Sequence, residues 1–114
     1  MTWSIGVHAD LAPEIKALSR EVRRELGAHV TLIEQFGPSL GRPTVDTLKG
    51  SRMANLKELR FNAAGGVWRV AFAFDGDRVA VLLVVGDKGG KDQVRFYEAL
   101  IRLAEERWTT WNAE

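Results

Sequence analysis

Leu56-Lys-Glu-Leu-Arg-Phe-Asn62, Ala63-Ala-Gly-Gly66 and Val67-Trp-Arg-Val-Ala-Phe-Ala-Phe74 decide the fold of this chain. The first run alternates, with Lys57, Leu59 and Phe61 on one parity and Leu56, Glu58, Arg60 and Asn62 on the other. Such a period of two is the signature of a strand with one buried face. The glycine-rich tetrapeptide predicts a hairpin turn. In the third run Trp68, Val70, Phe72 and Phe74 share the core parity, while Arg69 stands on the opposite face between Val67 and Ala71. Asp75-Gly76-Asp77 then turns the chain into Arg78–Val85, a nearly continuous apolar run expected of a central strand.

Gly86–Lys91 reads as a loop and Asp92–Trp111 as a final helix, its apolar positions including Val94, Phe96, Tyr97, Leu100, Ile101, Leu103, Ala104 and Trp108. Upstream, Trp3–Val7 predicts a short strand. Asp10 precedes Leu11, Ile15, Leu18, Val22 and Leu26, an amphipathic stripe with Pro13 tolerated in the first turn and Gly27 as a stop. Val30, Leu32, Ile33 and Phe36, ending at Gly37-Pro38, predict a second helix and hence a helical hairpin. Gly37–Gly50 reads as an irregular connector pinned by Leu40, Val45 and Leu48. The order predicts one α+β domain over residues 1–114, a small, mainly antiparallel sheet with its helices on one face and the other face open. Trp108 and Trp111 are candidates for a contact surface, with helix packing the expected role of Trp108.

At 114 residues the chain can bury one core but not two. It has no apolar run approaching the roughly 20 residues of a membrane span. Its start lacks the basic and apolar regions of a secretory signal. Zero cysteines exclude disulfides and thiolate metal sites and fit a reducing cytoplasm, and His8 and His29 are too few for a histidine-rich zinc site. The net charge of +1 conceals an asymmetry, because residues 42–102 hold eleven Lys/Arg against seven Asp/Glu. That excess of +4 points to an anionic partner for the same segment.

On the expected open face Glu58, Arg60 and Arg69 are co-facing, Lys88 and Lys91 lie in the loop at the sheet's end, and Tyr97 projects from the last helix. RNA cleavage by 2′-hydroxyl attack needs such groups. A base takes the 2′-OH proton, cations offset charge on the pentacoordinate phosphate, and an acid protonates the leaving 5′-oxygen. Arginine forks bind phosphate bidentately, Glu58 is the candidate base, and a lysine or arginine crowded by other cations is the candidate acid. Lys49, Arg52, Lys57 and Arg95 are candidate RNA-binding residues. The plain structural alternative is a solvated Glu58–Arg60 pair with Tyr97 as an edge residue of a core helix.

Leu48-Lys-Gly-Ser-Arg52, Leu56-Lys-Glu-Leu-Arg-Phe61, Trp68-Arg-Val-Ala-Phe-Ala-Phe-Asp75 and Gly86-Asp-Lys, followed by Phe96-Tyr97-Glu98, resemble the HigB branch of the RelE/ParE toxin superfamily, also labelled phage-derived HigB-like. The resemblance implies a RelE-like fold and a type II toxin that cleaves messenger RNA on the ribosome without metal or cofactor. It also implies a helix-turn-helix antitoxin of the HigA type as partner, with operator DNA reached only through that antitoxin. By resemblance Arg69 matches the strand arginine used on the scissile phosphate, and Lys57 or Arg60 the basic positions of the preceding strand. Glu58 resembles the carboxylate base of some members, Lys88 or Lys91 replaces the basic loop residue, and Tyr97 matches a helix tyrosine that stacks on a base or assists catalysis. The chain departs from histidine-based members, having no histidine after His29 and Met53 where relatives often carry one. Two alternatives belong to other classes: a ParE-like toxin that inhibits DNA gyrase without catalysis, and a degenerate antitoxin-binding module.

Overall fold

Both parities of the central run Val79–Asp87 are apolar, so it needs cover on two faces, and the fold follows from that requirement. The computed structural model describes residues 2–113. Its elements are β1 (Ser4–Val7), α1 (Leu11–Lys16), α2 (Arg20–Phe36), a 3-10 turn (Gly37–Ser39), β2 (Val45–Thr47), β3 (Lys57–Ala63), β4 (Gly66–Phe74), β5 (Val79–Asp87) and α3 (Gln93–Ala113). The strands form one sheet in the order β1-β5-β4-β3-β2, antiparallel except for the parallel pair β1–β5.

One face carries Leu59, Phe61, Val70, Phe72, Ala80 and Leu82 and buries Leu11, Val22, Leu26 and Ile33 of α1 and α2. The other carries Ala71, Val81, Leu83 and Val84 and takes Leu100 and Ala104 of α3. This corrects the expectation that all helices share one face. Only the β3–β4 end of the second face is left to solvent by α3, and it is there that Glu58, Arg60 and Arg69 stand.

The hairpin β3–β4 turns through Ala64 and Gly65 at φ 49° and 78°, the pair of positive values whose twist matches a two-residue hairpin. The expected irregular connector contains β2, with Val45 opposite Leu59, Asp46 opposite Glu58 and Thr47 opposite Lys57. Three residues are too few to show a period, which is why the sequence concealed it.

The expected stop at Gly27 is not used. The break falls at Ser19, whose hydroxyl accepts from Val22 N at 3.2 Å as an N-cap. From there α2 runs unbroken through Gly27, because Val22, Leu26 and Ile33 continue one stripe. The true terminator is Gly37 at φ +53°, where a Cβ would lie 2.2 Å from the Trp3 indole nitrogen. Trp108 and Trp111 both pack in the second core, and Trp111 lies so close to Gly6 that a Cβ there would meet it at 2.9 Å.

A bulge in β5 couples the two helical layers. Ala71 pairs with Val84 but Phe72 with Leu82, so Leu83 is supernumerary and joins Val84 on the α3 face. The Leu83 carbonyl accepts from Arg107 Nη1 of α3 at 2.8 Å, and the same guanidinium forks onto Glu14 of α1 at 2.9 and 2.7 Å. Arg107 is buried, so losing either partner is costly.

Arg107→Ala is therefore expected to destabilise the fold by about 2–3 kcal/mol, measured by urea unfolding. Arg107 holds the Glu14 carboxyl below its ordinary 4.5 by hydrogen bonding. The stability this contributes is complete above that value and is lost as the pH falls through the lower folded-state value. Glu14→Gln should therefore cost stability at neutral pH and flatten the acid limb of a stability–pH curve; an unchanged acid limb would contradict the assignment.

Candidate active site

Arg60 and Arg69 are directly opposite one another across β3 and β4. Like charges in that position repel, so the pair requires a counter-charge between them. Glu58 supplies it. Its Oε2 accepts from Arg60 Nη2 at 3.1 Å and Nε at 3.3 Å, and its Oε1 lies 3.4 Å from Arg69 Nε. Tyr97 of α3 donates its hydroxyl to the same Oε1 at 2.8 Å and accepts from Arg69 Nε at 3.3 Å. The carboxylate is only 4% exposed, whereas the Arg60 side chain keeps 32%. The charge is thus buried with partners on both oxygens, and one guanidinium faces the solvent.

Each element positions one part. The strand period brings Glu58 and Arg60 to the same face, two residues apart. Asp46, set opposite Glu58 by β2, lies 3.5 Å from Arg60 Nη2 and steadies the fork from its outer side. Arg69 is aimed by a bond from its Nη1 to the Trp68 carbonyl at 2.9 Å. Among the described residues Arg60 Nη1 and Arg69 Nη2 make no hydrogen bond. The loop after β5 is tied by Asp87, whose Oδ1 accepts from Val67 N at 3.0 Å and Gly89 N at 2.9 Å. This places the Lys88 ammonium 5.6 Å from the Tyr97 ring centroid and 3.1 Å from Gln93 Oε1. Glu58, Arg60, Lys88, Tyr97, Asp46 and Thr47 line a cleft of about 480 Å³.

The electrostatics separate the roles. Burial, and then repulsion by Arg69, lowers the Lys88 pKa, which makes it a better proton donor than a free lysine. Burial, and then donation to Glu58, raises the Tyr97 pKa, so its phenol stays protonated at neutral pH and acts as a donor.

Of the ten residues expected at the site, the structure brings Glu58, Arg60, Arg69, Lys88 and Tyr97 together. Lys49 lines the same cleft, and with Arg52 it lines the adjoining groove along the Tyr97 side of α3. Three stand elsewhere, which corrects the expected cluster. Lys57 shares the parity of Leu59 and Phe61, and its ammonium donates to Thr47 Oγ1 at 3.1 Å beside the 3-10 turn. Lys91 lies over Phe96, and with Arg95 it borders an apolar groove on the opposite flank of α3. A difference of one or two positions on a helix decides its flank, and the loop length could not reveal which lysine turns inward. Asp46, Asp87 and Gln93 escaped the sequence reading because each acts through another side chain and carries no periodic signal.

Tyr97 is the only tyrosine of the chain, so its ionisation can be followed by tyrosinate absorbance alone. The titration is expected above the ordinary 10.0 and should move down toward it in Glu58→Gln, which removes the charged acceptor. A wild-type titration at or below 10.0 would contradict the geometry.

Residues 13–109 match the family described as "Phage derived protein Gp49-like (DUF891)". The chain is 40% identical over 107 residues to "Putative toxin HigB3" of Mycobacterium tuberculosis, covering 90% of this chain and 91% of that protein. It is 38% identical over 107 residues to "Putative toxin HigB2" of the same organism, of which it spans 53%. In fold it is similar to Escherichia coli toxin RelE, solved free as a mutant with two arginines replaced by alanine, at a TM-score of 0.63 and 15% identity over 89% of this chain and 95% of that one. The archaeal RelE of the RelE–RelB complex from Pyrococcus horikoshii is similar at a TM-score of 0.57 and 21% identity, over 79% of this chain and 99% of that one. Family and relatives agree: the chain belongs to the Gp49-like family and is similar to HigB-type toxins, and its fold is RelE-like.

Proposed function

We propose that this protein is the toxin of a type II toxin–antitoxin pair and acts as a metal-independent messenger-RNA endonuclease on the ribosome. The observation that carries this reading is the cross-strand pair Arg60–Arg69 bridged by the buried carboxylate of Glu58. A stable fold has no need to set two guanidiniums opposite each other around a buried acid, and departures of this kind concentrate at functional sites.

The geometry supports the following course of reaction. A phosphodiester entering the cleft meets the unpaired N–H group of Arg60 and, at the neighbouring cleft that Arg60 also lines, that of Arg69, and it competes with Glu58 and Asp46 for the rest. As the arginines turn to the phosphate, the Glu58 carboxylate is released from its cationic partners and its oxygens are freed. It then takes the proton from the 2′-hydroxyl as the 2′-oxygen attacks phosphorus. The guanidiniums offset the charge of the pentacoordinate phosphorane. The bond to the 5′-oxygen breaks, Lys88 gives that oxygen its proton, and a 2′,3′-cyclic phosphate remains. Tyr97 holds Glu58 in line and offers its ring edge to the substrate.

The partner in this reading is a HigA-like helix-turn-helix antitoxin that silences the toxin in the cytoplasm and alone contacts operator DNA. The RelE of Pyrococcus horikoshii was solved in complex with RelB, which supports an antitoxin partner in general. Gyrase inhibition of the ParE kind would need no proton donor beside the arginine pair, whereas Lys88 stands there with a lowered pKa.

Induced expression is expected to arrest growth and to create new, translation-dependent 5′ ends in an abundant transcript. Arg69→Ala should abolish both, with a loss of at least about a hundredfold in cleavage. Arrest with intact transcripts would overturn the nuclease reading in favour of a target such as gyrase, and no arrest by folded protein would leave a module that only binds an antitoxin.

A further inference from the structure

Two clefts meet at Arg60, and only the first holds Glu58, Lys88 and Tyr97. The second, about 400 Å³, is lined by His29, Thr44, Phe61 and Asn62 together with Arg60 and Arg69. It exists because β2 is short. The last bond along that edge of β3 joins Arg60 N to Thr44 O at 2.8 Å, and β2 begins at Val45, opposite Leu59. Past it the edge of β3 at Phe61 and Asn62 has no neighbouring strand among the described residues, and the cleft wraps around it.

The chemistry of this second cleft differs from the first. Two rings line its wall, the His29 imidazole lying on Phe61 at 5.3 Å and 26°, and behind them Phe61 lies parallel to Trp68 at 6.5 Å and 11°. His29 Nδ1 donates to the Glu25 carbonyl at 2.7 Å, which fixes the ring and leaves Nε2 without a partner among the described residues. The imidazole keeps 27% exposure, so the wall ends in a flat, accessible surface. The Asn62 carboxamide and the Thr44 hydroxyl make no hydrogen bond among the described residues, although both line the cleft. Among the described residues no carboxylate lines it. A flat π surface beside an unpaired carboxamide suits a nucleobase, which offers a face for stacking and adjacent donors and acceptors on its edge.

We propose that the cleft of His29, Thr44 and Asn62 is a nucleoside subsite of the RNA-cleaving centre. The base of the nucleotide on one side of the phosphate held by Arg60 and Arg69 stacks against His29 and is read by Asn62. The nucleoside on the other side lies in the cleft of Glu58, Lys88 and Tyr97. The arginine pair is then the middle of a dinucleotide site, and base preference on the His29 side is set by Asn62. This inference rests on the phosphate-binding role given to the arginines under the proposed function.

The test compares binding of a 3′-mononucleotide, which carries only the nucleoside of the Glu58 side, with that of an uncleavable dinucleoside monophosphate, both methylated at the attacking 2′-oxygen, by NMR titration of the isotope-labelled chain. Wild type should bind the dinucleotide at least about fivefold more tightly, the low end of the gain from stacking one base. The His29 and Asn62 resonances should shift with the dinucleotide. Asn62→Ala and His29→Ala should remove that increment while keeping the mononucleotide affinity and the dispersed spectrum of a folded protein. Dinucleotide binding that depends on Arg69 but is indifferent to both substitutions would overturn the subsite and leave the phosphate site standing. Binding of neither ligand, or binding unaffected by Arg69→Ala, would overturn both.

Discussion

The carboxylate of Glu58 is a charge almost entirely removed from water, and such a charge persists only with partners around it. Two guanidiniums and a phenol meet that demand from β3, β4 and α3, so the site ties three elements together at one atom pair. The dependence is mutual. Without Glu58 the opposed arginines repel, and without the arginines the buried acid has no counter-charge. The same contacts that hold the resting site together must loosen when a phosphate arrives, so the cluster is both a structural tie and a store of reactivity.

The position of Tyr97 depends on events far from the cleft. The helix α3 is held at its other end by Arg107, which reads the bulge carbonyl of Leu83 and the Glu14 carboxylate of α1. His8 and Thr110, 2.6 Å apart, and Trp111 against Gly6 fix the same end to the first strand. A helix anchored this way presents a constant flank to β3, so Tyr97 reaches Glu58 while Phe96 turns into the core beside Gly86. Cover on both faces of β5 thus leaves one uncovered corner of the sheet, and the charged residues are there.

Much of this was legible from residues alone. Alternation in Leu56–Phe74 gives the hairpin, its faces and the shared side of Glu58, Arg60 and Arg69, because side-chain direction in a strand is fixed by counting. The apolar stripe of Asp92–Trp111 likewise gives α3. Where long-range geometry decides, the sequence was silent. The short β2, the Leu83 bulge and the flank of α3 that faces the site depend on which strands meet and in what register. Hence Lys88 was not separated from Lys91, and Asp46 was overlooked. Lys57 is a different case, since its shared parity with Leu59 and Phe61 already sets it off the Glu58 face. The Gly27 stop shows a different limit, since a glycine inside a continuous stripe costs a helix less than losing the buried residues beyond it.

The central claim is that the phosphate of the substrate displaces Glu58 from the arginine pair. A crystal structure of the chain with a bound, uncleavable RNA dinucleotide tests it most directly. The account predicts the phosphate oxygens on Arg60 and Arg69, with Glu58 still held by Tyr97 and one of its oxygens turned to the 2′-position of the attacking nucleotide. A phosphate bound elsewhere, with both Glu58–arginine contacts intact, would contradict it.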